Sequence, residues 1–168
     1  MATTNVTAPL LRAGPFCVAV ARPARVADVL LASVIGVTHA PDPLAPRHFS
    51  RLLGFRYVHA ADGDAQVEAD PTEDHCNQHG IVHGGYLAAL LDTTTGWAVH
   101  TVLPQGTAAP HVHLSIQYVR AAQVGTTLVC RGRAVSAGSR SGATEAEITQ
   151  GGSVVARAVG THAVLPPR

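Results

Sequence analysis

From His48 onward, apolar and polar positions recur with periods that change along the chain, and each change marks an element. Phe49 to Phe55 has the spacing of a short helix ending at Gly54. Phe55–Ala60 and Ala65–Asp70 flank the turn-rich Ala61-Asp62-Gly63-Asp64 and predict a hairpin, followed by a loop from Pro71 to Gly80. Tyr86 to Leu103 is a long proline-free helix, stopped by Pro104 with Gly106 just beyond. His111 to Arg120 alternates strictly, with Val112, Leu114, Ile116 and Tyr118 on one face and His111, His113, Ser115 and Gln117 on the other. Thr126–Val135, Ala143–Thr149 and Ser153–Val164 read as further strands, the last entered through Gly151-Gly152, a favoured hairpin turn. Two strands, one long helix, then hairpin-connected strands predict an α+β fold, an antiparallel sheet curled around a central helix.

Residues 1–47 break this pattern. They carry Arg12, Arg22, Arg25 and Arg47 against Asp28 and Asp42, and Pro41-Asp42-Pro43 interrupts a short helix or strand predicted over Val26–Val37. An Arg-rich, acid-poor opening has the composition of an organelle presequence; an unstructured extension or an over-long start has it too. We read 1–47 as an accessory extension ahead of one domain spanning 48–168.

Composition narrows the function classes. A chain of 168 residues that is 46% hydrophobic suits one compact core. A formal net charge of +1 lacks the basicity of a nucleic-acid-binding domain. The longest apolar run, Val29 to Val37, falls short of the ~20 residues that span a bilayer. No apolar segment with a small-residue cleavage site opens the chain, and Cys17, Cys76 and Cys130 make no disulfide framework. A soluble cytoplasmic protein is the expectation. All 12 cationic residues are Arg, which excludes lysine Schiff-base chemistry and a Walker A loop. Between Asp74 and Glu145 the only acid is Asp92, among six of the ten histidines and Arg120, Arg131, Arg133 and Arg140. One carboxylate amid imidazoles and guanidiniums suits chemistry on an anionic ligand.

Asn77-Gln78-His79-Gly80-Ile81-Val82-His83-Gly84-Gly85 leads straight into the long helix. Gly84 and Gly85 leave the first backbone N–H groups unobstructed at the positive end of the helix dipole, an anion or oxyanion site. Gly85, Ala88, Ala89, Asp92, Gly96 and Val99 share one helix face, small and apolar except for the carboxylate. Burial on that face would strengthen Asp92 as a base. Seven residues separate Gly85 from Asp92, about 10.5 Å along the axis, too far for one small carbonyl to touch both in one chain. A second chain packed antiparallel would bring its Asp92 to this chain's Gly84 and Gly85, so the spacing predicts a site shared across a two-fold dimer.

Asn77-x2-Gly80-x2-His83-Gly84-Gly85 with Asp92 resembles the hotdog-fold acyl-CoA thioesterases of the PaaI-like, phenylacetate-pathway group. The resemblance runs from Phe49 to Val164 and includes Leu53-Gly54-Phe55 and Ser115-Ile116-Gln117-Tyr118. It implies a hotdog fold and hydrolysis of an acyl thioester to a carboxylic acid and a free thiol, without metal or cofactor. Coenzyme A is the expected thiol, with an acyl-carrier protein as the other carrier. Asp92 would act as general base or nucleophile, Gly84 N–H would polarise the carbonyl with His83 beside it, and Asn77 would position the carbonyl or the water. A homodimer is the minimum assembly, and a dimer of dimers is common in that family. For the coenzyme A phosphates the candidates are the Gly138-Ser139-Arg140-Ser141-Gly142 turn and Arg120. Two positions depart from the pattern: His111 stands where such enzymes often carry a site-facing Ser or Thr, and Gly96 where some place a hydroxyl. We place His111 among the substrate-binding candidates; a second base is its other reading.

Other function classes compete. His75-Cys76-x2-His79-x3-His83, with His111-x-His113, has zinc-ligand residue types, but Gly80, Gly84 and Gly85 deny it a helical scaffold. A non-catalytic acyl-ligand-binding dimer would not need Asp92. A hydratase would need a His/Asp or His/Glu dyad. Tyr86, Trp97 and Tyr118 read as core or interface aromatics.

Overall fold

The computed structural model describes residues 48–167; the extension over 1–47, and with it the element predicted at Val26–Val37, lies outside the described residues. Helix α1 (His48–Leu52) leads through Gly54, with φ 68, into β1 (Phe55–Ala61) and β2 (Asp64–Ala69). Asp62 and Gly63, with φ 52 and 89, make a tight two-residue hairpin turn. A short 3-10 turn (Glu73–His75) lies in the following loop, and α2 spans Gly84–His100. Strands β3 (His111–Tyr118), β4 (Leu128–Ala137), β5 (Ser141–Gln150) and β6 (Ser153–Ala163) follow. Helix α2 starts two residues before the predicted Tyr86 and ends three before Leu103, because His83 caps its start and Thr101 closes its last turn. Strands β4 and β5 run closer together than predicted, leaving Gly138–Arg140 as the turn between them.

Among the described residues the strands form one antiparallel sheet in the order β1-β2-β4-β5-β6-β3. Helix α2 packs against all six strands, so the sheet curls around it. The core joins Leu87, Leu90 and Leu91 of α2 to Phe55, Val67, Leu128, Ile148 and Ala156 on the inner sheet face. Burying a leucine such as Leu90 or Leu91, both fully covered, contributes about 1.5–3 kcal/mol. The helix sits tightest over Gly132, where a Cβ would lie 3.1 Å from Thr94 Cγ2 and 3.3 Å from the Thr94 backbone. Tyr86 is a core aromatic, as expected: its ring meets Phe55 edge-on, its hydroxyl donates to Leu53 C=O at 2.9 Å, and burial pushes the phenol pKa up to about 12. No described helix is long and apolar enough to cross a membrane.

Candidate active site

The loop before α2 is built by its own backbone. Asn77 N–H donates to Ile81 C=O, Gly80 N–H donates to Asn77 C=O, and His79 N–H donates to Asn77 Oδ1, all at 2.9 Å. Gly80, with φ 73, lets this turn close. A bridge between Cys76 and Val82 then delivers His83 to the helix start as its N-cap. The Gly85 N–H donates to His83 Nδ1 at 2.9 Å, so His83 carries its proton on Nε2 and presents it as a donor. Of the two glycine N–H groups, Gly85's is thus held by the cap. Gly84's has no partner among the described residues and stands at the positive end of the dipole. Tyr118, which the sequence pattern left unassigned to the site, closes over Gly84. Its hydroxyl donates to Gly84 C=O at 3.1 Å, and a Cβ on Gly84 would meet its ring at 3.3 Å. A hollow of about 380 Å³ opens here, lined in part by His75, His83, Gly85 and Ala89.

Asp92 lies two turns further along. In the protomer its side chain is 56% exposed, not buried as its helix face had suggested. The reason is that Gly85, Ala88, Ala89, Asp92 and Gly96 face away from the inner sheet surface, whereas Val99 turns toward it and is fully covered. Asp92 opens on a cavity of about 850 Å³, lined also by Tyr57, Gly96, Trp97, His100 and His111. Tyr57 and Trp97 pack ring to ring in its wall, with centroids 5.1 Å apart, so Trp97 is more than a core aromatic.

His111 corrects the strict alternation. The register of β3 against β6 shifts between His111 and His113, a bulge that leaves Val112 outside at 64% exposure. His111 therefore points to the helix side with Leu114 and Ile116, not outward with Ser115 and Gln117. Its Nδ1 lies 2.9 Å from Asp92 Oδ1, and its Nε2 lies 3.0 Å from Thr95 Oγ1. Behind it stands His162, centroids 3.9 Å apart, which pairs with Thr144 Oγ1 and Ala109 C=O, each at 3.0 Å. Burial lowers the His162 pKa below its ordinary value, against the raising effect of the Ala109 carbonyl. No local signal singled out His162, a buried polar group whose partners Thr144 and Ala109 come from distant segments. Thr95, a hydroxyl one turn from Asp92, meets His111 and its own helix backbone and not the carboxylate.

The predicted site residues therefore fall into two groups. Asn77, His83, Gly84 and Gly85 gather at the start of α2; Asp92 and His111 gather at the other cavity, and the two cavities share no lining residue. The anion candidates divide likewise. Gly138, Arg140 and Ser141 sit at the β4–β5 turn, where Gly142 pairs with His162, at the His111 end of the sheet. Arg120 follows β3 beside the loop that carries Val82, whose N–H donates to Ala122 C=O at 3.0 Å. Arg120 and Arg140 make no ion pair among the described residues, whereas Arg133 and Arg157 are tied to Glu145 and Glu147 at 2.6 Å. The zinc-like run is otherwise engaged: His75 Nδ1 accepts from Thr72 N–H at 3.0 Å, and His83 caps the helix. Among the described residues no group of three His, Cys, Asp or Glu side chains is placed to hold a metal ion.

Known proteins share both the fold and the segment that carries this site. The family model of the thioesterase superfamily matches residues 79–156. A structure of the phenylacetic acid degradation protein PaaI from Thermus thermophilus, carrying a single substitution, superposes with a TM-score of 0.64 at 30% identity, covering 68% of this chain and 96% of that one. The chain belongs to the thioesterase superfamily. Within it, this hotdog-fold protein is 29% identical over 117 residues to acyl-coenzyme A thioesterase 13 of Homo sapiens, covering 69% of this chain and 83% of that protein. A Streptococcus mutans protein solved with acetyl CoA bound superposes at a TM-score of 0.65 and 27% identity, covering 74% of this chain and 96% of that one. Membership makes this hotdog protein PaaI-like and, at the level of the family, a thioester hydrolase.

Proposed function

We propose that this thioesterase-superfamily protein hydrolyses an acyl-CoA to a carboxylic acid and free coenzyme A, at a site shared by two chains. Asp92 of one chain acts as general base and Gly84 N–H of the other polarises the thioester carbonyl. The observation that carries this reading is the division of the site: the start of α2, with His83 and Gly84, and the cavity on which Asp92 opens are separate places in the protomer, each with one half of what acyl transfer requires. Strand β3 supports the assembly, since it lies at one end of the sheet with Val112 and Tyr118 exposed, and exposed Val119 follows it. Two copies joined antiparallel along it set their small-residue stripes side by side, so that each Asp92 meets the partner's helix start.

In this mechanism Asp92 takes a proton from water as the water oxygen bonds to the carbonyl carbon. The developing oxyanion is met by Gly84 N–H, with His83 Nε2–H beside it and Asn77 at the loop. Collapse breaks the carbon–sulfur bond, and the coenzyme A thiolate receives the proton held by Asp92. Arg140 with Gly138 and Ser141, or Arg120, meets the phosphates, since neither arginine is committed to a carboxylate. Among the described residues Cys76 and Cys130 form no disulfide, which supports a reducing compartment, the cytoplasm. Thiol release from acetyl-, hexanoyl- and phenylacetyl-CoA tests the reading. Wild type should release thiol from at least one, and Asp92→Asn should lose about 10²–10⁴ of the rate while remaining folded and dimeric. A fully active Asp92→Asn protein would overturn the mechanism.

A further inference from the structure

We propose that His111 is a positioning residue for Asp92, holding one carboxylate oxygen so that the other faces the cavity. The inference rests on the reading of Asp92 as the catalytic base. An ionised carboxylate only accepts hydrogen bonds, so the proton between His111 and Asp92 belongs to Nδ1. Every other degree of freedom of the imidazole is taken. Nε2 is engaged by Thr95 Oγ1, on the same helix three residues past Asp92, and that hydroxyl also reaches Leu91 C=O at 2.8 Å. The ring face is covered by His162, which Thr144 and Ala109 hold in turn. The space for the ring exists because residue 160 is glycine: a Cβ there would lie 3.2 Å from His111 Nε2 and 2.7 Å from Thr144 Oγ1.

Exposure separates the two roles. The His111 side chain is 16% exposed and stands behind a carboxylate that is 56% exposed. Asp92 Oδ1 is bonded to the imidazole, which leaves Oδ2 as the oxygen free to meet water. No side chain of α2 itself does this work: residue 96, one turn on, is glycine, and the Thr95 hydroxyl reaches the Asp92 backbone C=O at 3.2 Å, not the carboxylate. The bulge at Val112 is what turns His111 to the helix, so a local irregularity of β3 serves the site. His111 thereby moves from substrate contact to support of the base.

The test is thiol release by the full chain with the best of the three acyl-CoA substrates. His111→Ala should lower kcat about 10- to 100-fold, the usual effect of freeing a group that a supporting hydrogen bond had oriented, with KM changed less than about twofold. His111→Asn, whose Nδ2–H can stand where Nδ1–H stood, should recover most of the loss and stay folded if the alanine variant does not. In an Asp92→Asn background His111→Ala should add almost nothing, because it acts through Asp92. The His111 Nδ1–H proton resonance should move upfield in Asp92→Asn. A rise in KM at unchanged kcat, equal loss in the Ala and Asn variants, or additive losses in the double variant would overturn the proposal. An active His111→Ala beside an inactive Asp92→Asn sinks this inference alone. An active Asp92→Asn sinks the catalytic reading with it.

Discussion

Replacing Gly84 by proline removes one hydrogen-bond donor and little else. Gly84 is the first residue of α2, where proline is favoured because its fixed φ suits the helix and no intrahelical bond needs its N–H. The preceding His83, with φ −63 and ψ 137, is already in the extended conformation that a following proline demands. The steric term is small: a Cβ would meet Tyr118 Cζ at 3.3 Å and Cε1 at 3.4 Å, so the ring must yield by a few tenths of an ångström. Gly84→Ala adds the same Cβ and keeps the N–H, so it controls for the contact with Tyr118. Losing one oxyanion donor costs about 10²–10³ in kcat, roughly 2.7–4 kcal/mol of transition-state stabilisation. Thiol-release kinetics should show that drop for proline and near-wild-type kcat for alanine, with melting temperatures alike. Equal kcat in the two variants would refute the role of the N–H, and equal large losses would assign the effect to packing against Tyr118. Coexpression of Gly84→Pro with Asp92→Asn extends the test. In the mixed dimer one shared site carries both lesions and the other neither, so about half the activity returns. No recovery would place the whole site within one chain.

Three further outcomes are expected. Gly160→Ala should cost about 1–3 kcal/mol in urea denaturation, since its Cβ either displaces Thr144, orphaning His162 Nε2, or shifts the sheet. Added to Thr144→Ala it should cost little more, and an additive loss would contradict the account. Gly96→Ala meets nothing within 4 Å and removes a helix-interior glycine, so it should stabilise by about 0.5–1 kcal/mol while raising KM for the bulkiest acyl group; lower stability would show that the space is occupied. His162 is held neutral by burial, with its folded pKa below the unfolded value near 6.5. Its contribution to stability is thus complete above about pH 6.5 and is lost as pH falls through the folded pKa. Denaturation midpoints should fall between pH 7 and 5, and His162→Asn should flatten that slope.

What the sequence determined by itself were the features that local physics controls. Two-residue turns at Asp62-Gly63 and Gly151-Gly152 require backbone conformations that few residues adopt, and glycine announces them. The long helix and most strands follow from periods of 3.6 and 2, with boundaries moving by a few residues where caps and hairpin closure decide. The glycine-opened start of α2 and the lone Asp92 on its small-residue stripe were equally legible, because both depend on spacing along one element. The orientation of His111 was not. Alternation counts residues along one strand, whereas the bulge at Val112 is set by how β3 pairs with β6, over forty residues away. Nor could any local pattern bring His162, Thr144 and Gly160 behind His111, or lay Tyr118 over Gly84. The exposure of Asp92 also belongs to the tertiary structure, since which helix face meets the sheet is decided by where Leu87, Leu90 and Leu91 find their partners. Chain-local sterics wrote the elements into the sequence; long-range pairing and packing aimed the side chains.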